Sequence, residues 1–319
     1  MPRSARLDIP GLLQHVIVRG VERCDIFIDH DDRCDFTERL QLLLQEEEVD
    51  CLAWALMSNH FHLLLRPRVT TLAKFMRRLL TGYAVAFNLR HNRCGHLFQN
   101  RYKSIVCDED AYLLELVRYI HLNPLRAGIV PDLPSLERFP WSGHSPLMGN
   151  RAFEGQNVDE VLGFFGKNAT NARCRYRSFV KDGISMGNRD DLVGRRVSRR
   201  QASRPASPFP DDPRILGGAK FSESLRKNQE LRPRIRAREP IPEIIRRISG
   251  SLDVSHRAVA STSRQARVLQ ARAMVCRAAV EAGHSGAEVG RHLGMSRSGV
   301  CAALKRLEPT GVQDEQKQD

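Results

Sequence analysis

Two apolar runs separated by only two polar residues constrain this chain more than any other feature. "VDCLAWALM" (Val49 to Met57) and "HFHLLLRP" (His60 to Pro67) flank Ser58-Asn59. Apolar runs this short, joined by a two-residue polar turn, are expected to pair as antiparallel strands. The second run carries His60 and His62 on either side of Phe61. Successive residues of a strand point to opposite faces. His60 and His62 therefore share a face, and Phe61 points the other way, into the core.

The neighbouring segments extend this hairpin into a mixed fold. "HVIVRG" (His15 to Gly20) reads as a strand ended by glycine, and "DIFIDH" (Asp25 to His30) as a second short extended piece. "DRCDFTERLQLLLQEEE" has helical apolar spacing, with Phe36, Leu40, Leu43 and Leu44 on one side. "TTLAKFMRRLLTGYAVAFNLRHN" reads as a long helix with a stripe of Leu72, Phe75, Met76, Leu79, Leu80 and Tyr83. "GHLFQNRYKSIVCDED" suggests a hairpin or irregular strand. "DAYLLELVRYIHLNP" suggests a helix stopped by Pro124. Strand, helix, strand, strand, helix, strand, helix implies an α+β fold: an antiparallel sheet with helices on one face.

The rest of the chain divides by composition. Residues 1–130 form the mixed domain and 131–188 a helical appendage, with short helices expected in "VDEVLGFFG" and "ARCRYRSFVKDG". Residues 189–239 are rich in Arg, Ser and Pro and read as a basic linker. Residues 240–308 look helical again, and 309–319 form a polar tail. Within 240–308, "GAEVGRHLGMSRSGVCAALKRLE" has the pattern of a helix-turn-helix. Ser296 is its candidate N-cap, and Ser296, Arg297 and Ser298 open the second helix as candidate DNA contacts. Val289, Leu293, Val300 and Leu304 are the expected packing residues.

The formal charge is +13 over 319 residues. A surplus of this size favours a polyanionic partner, and nucleic acid over membrane, because no basic amphipathic anchor is visible. No run reaches the ~20 apolar residues that span a bilayer. The N-terminus lacks an apolar signal core, so a cytoplasmic protein is expected. The eight cysteines form no CxxC pair and are expected to be mostly buried small hydrophobes. No GxxxxGK[ST] loop is present, so ATP use is not supported.

Neutral imidazole is a common ligand for divalent transition metals. On the candidate helix, Tyr119 and Asn123 are four residues apart and share a side. A tyrosine hydroxyl can attack a phosphodiester when a nearby metal polarises it. An amide oxygen four residues along can complete the metal's ligands. Spacing alone leaves open that the histidines lie on a solvated sheet face and that Tyr119 simply packs.

"SNHFHLLLRP", "FQNRYKS" and "YIHLNPLRAGIV" together resemble the single-tyrosine HUH transposases, in particular their REP-associated tyrosine transposase branch. The likeness covers roughly residues 12–130. It implies a ferredoxin-like core, Mg²⁺ or Mn²⁺ as cofactor, and cleavage and rejoining of single-stranded DNA beside a hairpin through a 5′-phosphotyrosine. It further implies His60 and His62 as metal ligands, Asn123 as the third, and Tyr119 as nucleophile. Arg101, Lys103 and Arg126 are the candidate DNA-contacting cations of this domain. Tyr102 is a rival nucleophile, while Tyr83 and Tyr112 are expected to pack in helices. The C-terminal segment resembles the DNA-binding domain of the replication initiator DnaA and implies duplex binding. The protein is expected to be a monomer or homodimer. Two other functions stay open: an inactive sequence-specific DNA-binding regulator, and a hydrolase with a water nucleophile, which needs a further carboxylate near the histidines.

Overall fold

The computed structural model describes residues 6–187, 189–193, 212–228, 230–231, 239–261, 263–282, 284 and 286–306. The chain forms two compact units, residues 6–232 and residues 233–319 together with 1–5.

The larger unit is built on a five-stranded sheet in the order β2-β3-β1-β4-β5. Strands β1 (Gln14–Arg19), β2 (Val49–Leu56), β3 (His60–Pro67) and β4 (Lys103–Cys107) pair antiparallel. Between them run α1 (His30–Glu46) and α2 (Leu72–Arg90), and α3 (Glu109–Arg126) follows β4. The order of β1 to β4 in the sheet, with its two crossover helices, is that of a ferredoxin-like core. Asp25–Asp29, expected to be extended, pairs with no strand. Ile26 and Phe27 anchor it in the core instead, through the Ile26 and Phe27 amides on the Ser58 carbonyl.

The sheet is covered on both faces, which corrects the expectation of one. Val16, Val18, Trp54, Phe61, Leu63 and Leu65 face α1 and α2. Phe61 is fully buried beside Phe36, with ring centroids 4.7 Å apart. Truncation at such a site costs about 3–5 kcal/mol. On the opposite face, Ala53, Ala55, Leu64 and Ile105 pack against Leu113, Leu116, Val117 and Ile120 of α3. This β3 stretch is apolar on both sides, so it reads as a continuous run rather than an alternating one.

Four helices follow: α4 (Leu133–Arg138), α5 (His144–Met148), α6 (Val158–Gly163) and α7 (Ala169–Asp182). They join the core on the α3 side. Two buried contacts set the position of α3. Arg66 on β3 bonds Glu109 at the start of α3 at 2.5 Å, and also Asp50 and Glu160. Further along, the Tyr176 hydroxyl on α7 meets His121 Nδ1 at 2.7 Å and His144 Nδ1 at 2.9 Å. A hydroxyl donates once and accepts elsewhere, so these two imidazoles hold complementary tautomers.

Two boundaries move. Pro124 does not stop α3, which runs on to Arg126. The proline removes one amide donor within the last turn, where one lost bond is tolerable. The expected linker 189–239 also carries structure. Leu192 is fully buried in the α3-side core, and β5 (Ile215–Leu216) pairs parallel with β4, followed by α8 (Ala219–Lys227). Ile215 and Leu216 are buried on an otherwise open sheet edge, and Arg, Ser and Pro composition conceals a strand of two residues. The Arg/Ser/Pro-rich stretch 194–211, residues 232–238 and the tail 309–319 lie outside the described residues.

The smaller unit holds α9 (Ile241–Ser251), α10 (His256–Val259), α11 (Ala266–Glu281), α12 (Gly286–Leu293) and α13 (Arg297–Lys305). Its core joins Ile241, Ile244 and Ile248 to Val275, Ala279, Val289, Leu293 and Val300. Leu304 packs against this core while partly buried. Gly294 turns the chain between α12 and α13 at φ +65°, a conformation that favours glycine. Ser296 Oγ caps α13 by accepting from the Gly299 amide at 3.1 Å. Of the eight cysteines, all free, Cys51, Cys107 and Cys276 are buried, Cys34 packs partly buried against the core, and Cys24, Cys94, Cys174 and Cys301 are exposed, so the expectation of mostly buried thiols fails.

Candidate active site

The register of β1 against β3 and β4 assembles the site. Arg19 lies opposite His60, Ile17 opposite His62 and also opposite Lys103. Directly paired residues share a face, so Arg19, His60, His62 and Lys103 all look toward α3. Gly20 ends β1 because a side chain there would strike the Cys24 carbonyl, 2.1 Å from an added Cβ.

These residues open into one cleft of about 330 Å³. Its lining includes Arg19, His60, His62, Gln99, Asn100, Arg101, Lys103, Tyr119 and Asn123. Tyr119 stands edge-on to His62, with centroids 5.8 Å apart. His121 is two residues on and turns away to Tyr176. One helix therefore serves the cleft with Tyr119 and Asn123 and anchors itself with His121.

Both β3 histidines are held by Nδ1. His60 Nδ1 lies 2.7 Å from Asn59 Oδ1, and the Asn59 amide nitrogen donates to the Arg23 carbonyl at 3.1 Å. That second bond orients the amide so that its oxygen faces His60, which makes Nδ1 the protonated nitrogen. His62 Nδ1 lies 3.0 Å from His15 Nε2 in a buried contact. No hydrogen bond engages Nε2 of either His60 or His62 among the described residues. Burial pushes His60 down to about 4, with Arg19 adding to the effect. Burial likewise holds His62 well below the ordinary imidazole range, with His15, His60 and Arg19 contributing. Both rings are therefore neutral near pH 7, the form that binds metal. Asn123 adds an amide whose nitrogen is buried without a partner.

This donor set fits a divalent metal: two neutral imidazole Nε2 atoms and an amide on the facing helix. A second cluster, Asp29, Asp32 and His91, has the composition of a metal site. Asp32 already accepts from His91 Nε2 at 2.9 Å, Arg90 at 3.1 Å and the Ile28 amide at 2.8 Å. Burial opposes its ionisation, but the His91 and backbone hydrogen bonds prevail and hold the carboxyl below its usual range. Its oxygens are spent on the start of α1 and on cations.

The charges around the cleft are positive. Arg101 is exposed at its edge, and the Lys103 ammonium donates to the Val193 carbonyl. The Arg19 side chain makes no hydrogen bond or ion pair among the described residues. Among the described residues no carboxylate lines the cleft. Arg126 does not line it; its guanidinium lies 5.8 Å from the Tyr119 ring and donates to the Gly183 carbonyl at 3.0 Å. Tyr102 belongs to the opposite core, with the Arg6 guanidinium 3.7 Å from its ring centroid, and burial raises its pKa far above the usual value. Tyr83 is buried with its hydroxyl on the Ile26 carbonyl, and Tyr112 packs at the edge of the α3-side core.

In the smaller unit, Ser296, Arg297 and Ser298 are exposed at the start of α13. Arg297 and Ser298 line a shallow hollow with Cys301 and Ala302. Sequence reasoning missed His15 and Arg19. Both stand in "HVIVR", at even spacing on the strand that the histidine pair needed as a neighbour.

Residues 9–123 match the family described as "Transposase IS200 like". That stretch contains β1 to β4, both histidines and Tyr119, and ends at Asn123. No curated protein matches the chain. Among solved structures, one of a REP-associated tyrosine transposase bound to a REP hairpin is similar at 15% identity and a TM-score of 0.39. The likeness covers 48% of this chain and 90% of that one. No helix among the described residues is long and apolar enough to cross a membrane.

Proposed function

We propose that this protein is a metal-dependent transposase that cuts and rejoins single-stranded DNA beside a hairpin. The observation that carries this reading is the cleft itself: one tyrosine hydroxyl, two imidazole Nε2 atoms and the cationic side chains of Arg19 and Arg101 face each other.

Tyr119 Oη attacks the scissile phosphorus, forming the tyrosyl ester as the bond to the 3′ oxygen breaks. The protein keeps the 5′ phosphate on Tyr119, and the other fragment leaves with a 3′ hydroxyl. A 3′ hydroxyl attacking the ester reverses the chemistry, so rejoining needs no external energy source. Mg²⁺ or Mn²⁺, if bound in the cleft, would supply Lewis-acid polarisation of the phosphate and charge stabilisation at the departing oxygen. His60, His62 and Asn123 are the residues that would hold it. Arg19 and Arg101 carry charge that pairs with the DNA backbone. In the smaller unit, Ser296, Arg297 and Ser298 at the start of α13 contact duplex DNA.

The test is a labelled hairpin with single-stranded flanks, incubated with protein and Mg²⁺ or Mn²⁺. The expected result is one cleaved flank bearing a 3′ hydroxyl, abolished by EDTA. DNA binding that never proceeds to cleavage, across hairpins and both metals, favours an inactive regulator.

A further inference from the structure

His15 belongs to no motif in the sequence, yet it is fully buried and its ring stacks on His62 at 25°, with centroids 5.2 Å apart. Its Nε2 lies 3.0 Å from His62 Nδ1. Two neutral imidazoles can share that contact in two ways. Either His62 Nδ1–H donates to His15 Nε2, or His15 Nε2–H donates to His62 Nδ1. The choice decides the other side of His62. In the first, Nε2 presents a lone pair to the cleft. In the second, Nε2 carries a proton and cannot ligate a metal.

We infer that His15 is a positioning residue that fixes His62 in the Nδ1–H tautomer, aiming its Nε2 lone pair at the metal. This rests on the proposed metal site. Two observations support this role for His15. Asn59 does the same for His60, as an acceptor facing Nδ1. The register of β1 against β3 also places the two rings side by side and stacked, so the contact can hold ring orientation as well as tautomer. Outer partners of this kind typically change metal affinity by about 10- to 100-fold. Here the outer partner is a second histidine rather than a carboxylate, so it adds no negative charge to a cleft that must admit DNA.

The experiment has two arms. The first is ¹⁵N NMR of the metal-free wild-type protein with labelled histidine. His62 is expected to show a protonated Nδ1 and an unprotonated Nε2. The reverse tautomer overturns the inference and needs no mutant to fold. The second titrates Mn²⁺ by EPR into wild type, His62→Ala, His15→Leu and His15→Gln, with folding checked by melting. His15→Leu is expected to weaken binding about 10- to 100-fold, and His15→Gln, whose amide oxygen can accept from Nδ1–H, to restore most of it. If wild type binds Mn²⁺ and His62→Ala does not, while folded His15→Leu binds like wild type, the role of His15 is refuted and the metal site stands. If wild type and His62→Ala bind alike, the metal site itself fails.

Discussion

Tyr119 on α3 and His62 on β3 face each other edge-to-face at 5.8 Å, although they are far apart in sequence. Helix α3 crosses the sheet face that α1 and α2 leave free. Arg66 ties its first residue and Tyr176 ties His121 near its end. The chemistry proposed above needs that helix held at a fixed angle to the strand.

The two histidines differ in what their loss does to the fold. His60 sits at the strand's end, while His62 is 4% exposed. His60→Ala should cost about 0.5–1.5 kcal/mol, the worth of its part-buried hydrogen bond to Asn59. His62→Ala should cost about 1–3 kcal/mol, because His15 Nε2 loses its partner in the core. Urea unfolding separates them, and equal costs would mean that the contact with His15 contributes nothing. Both variants should lose metal-dependent cleavage.

Arg19→Gln tests the unpaired cation in the cleft. It should weaken single-stranded DNA binding and reduce the slope of log affinity against log salt by about 0.7, the share of one phosphate. Thermal stability should be unchanged, since no described partner is lost. An unaltered salt slope would remove Arg19 from the phosphate contacts.

Acid should destabilise the protein before its carboxylates titrate. Burial pushes His15 and His144 down to about 3, well under the ~6.5 of an unfolded histidine. Between those values the unfolded chain binds more protons, so stability is complete above about 6.5 and falls as pH drops toward 3. Urea midpoints at about pH 7.5 and about pH 5 should therefore differ, with the lower at pH 5. Identical midpoints would mean that these imidazoles are not neutral in the fold.

The boundary of the larger unit gives a truncation test. A chain ending at 239 should fold and cleave, with weaker duplex binding and a flatter salt dependence than the full chain. A chain ending at 188 loses buried Leu192, Ile215 and Leu216 and uncovers the β4 edge. It should melt lower and tend to aggregate. If the two shortened chains melt alike, β5 and α8 are dispensable.

What the sequence made legible follows periodicity. The HxH pair, the turn at Ser58-Asn59 and the stripes of α1 and α2 each lie within one short window. His15 meets His62 across 47 residues, and a lone imidazole in "HVIVR" carries no local sign of that pairing. The second covered face was hidden because β3 is apolar on both sides, a pattern with no alternation to read. Pro124 misled because its cost depends on how near the helix end it falls. Strand β5 is two residues long in a segment whose composition says linker. Tyr102 and Tyr119 are told apart only by the face of the sheet each occupies.

The covalent adduct is the most direct measurement of the central claim. Labelled hairpin DNA is incubated with Mn²⁺ and wild type, Tyr119→Phe or Tyr102→Phe, then run on a denaturing gel. Wild type should give a shifted, protease-sensitive band, and mass spectrometry should place the 5′ phosphate on Tyr119. Tyr119→Phe keeps the ring and its packing, so DNA binding should persist while the band disappears. Tyr102→Phe should retain the band. A band that survives in Tyr119→Phe and is lost in Tyr102→Phe would contradict the assignment of the nucleophile.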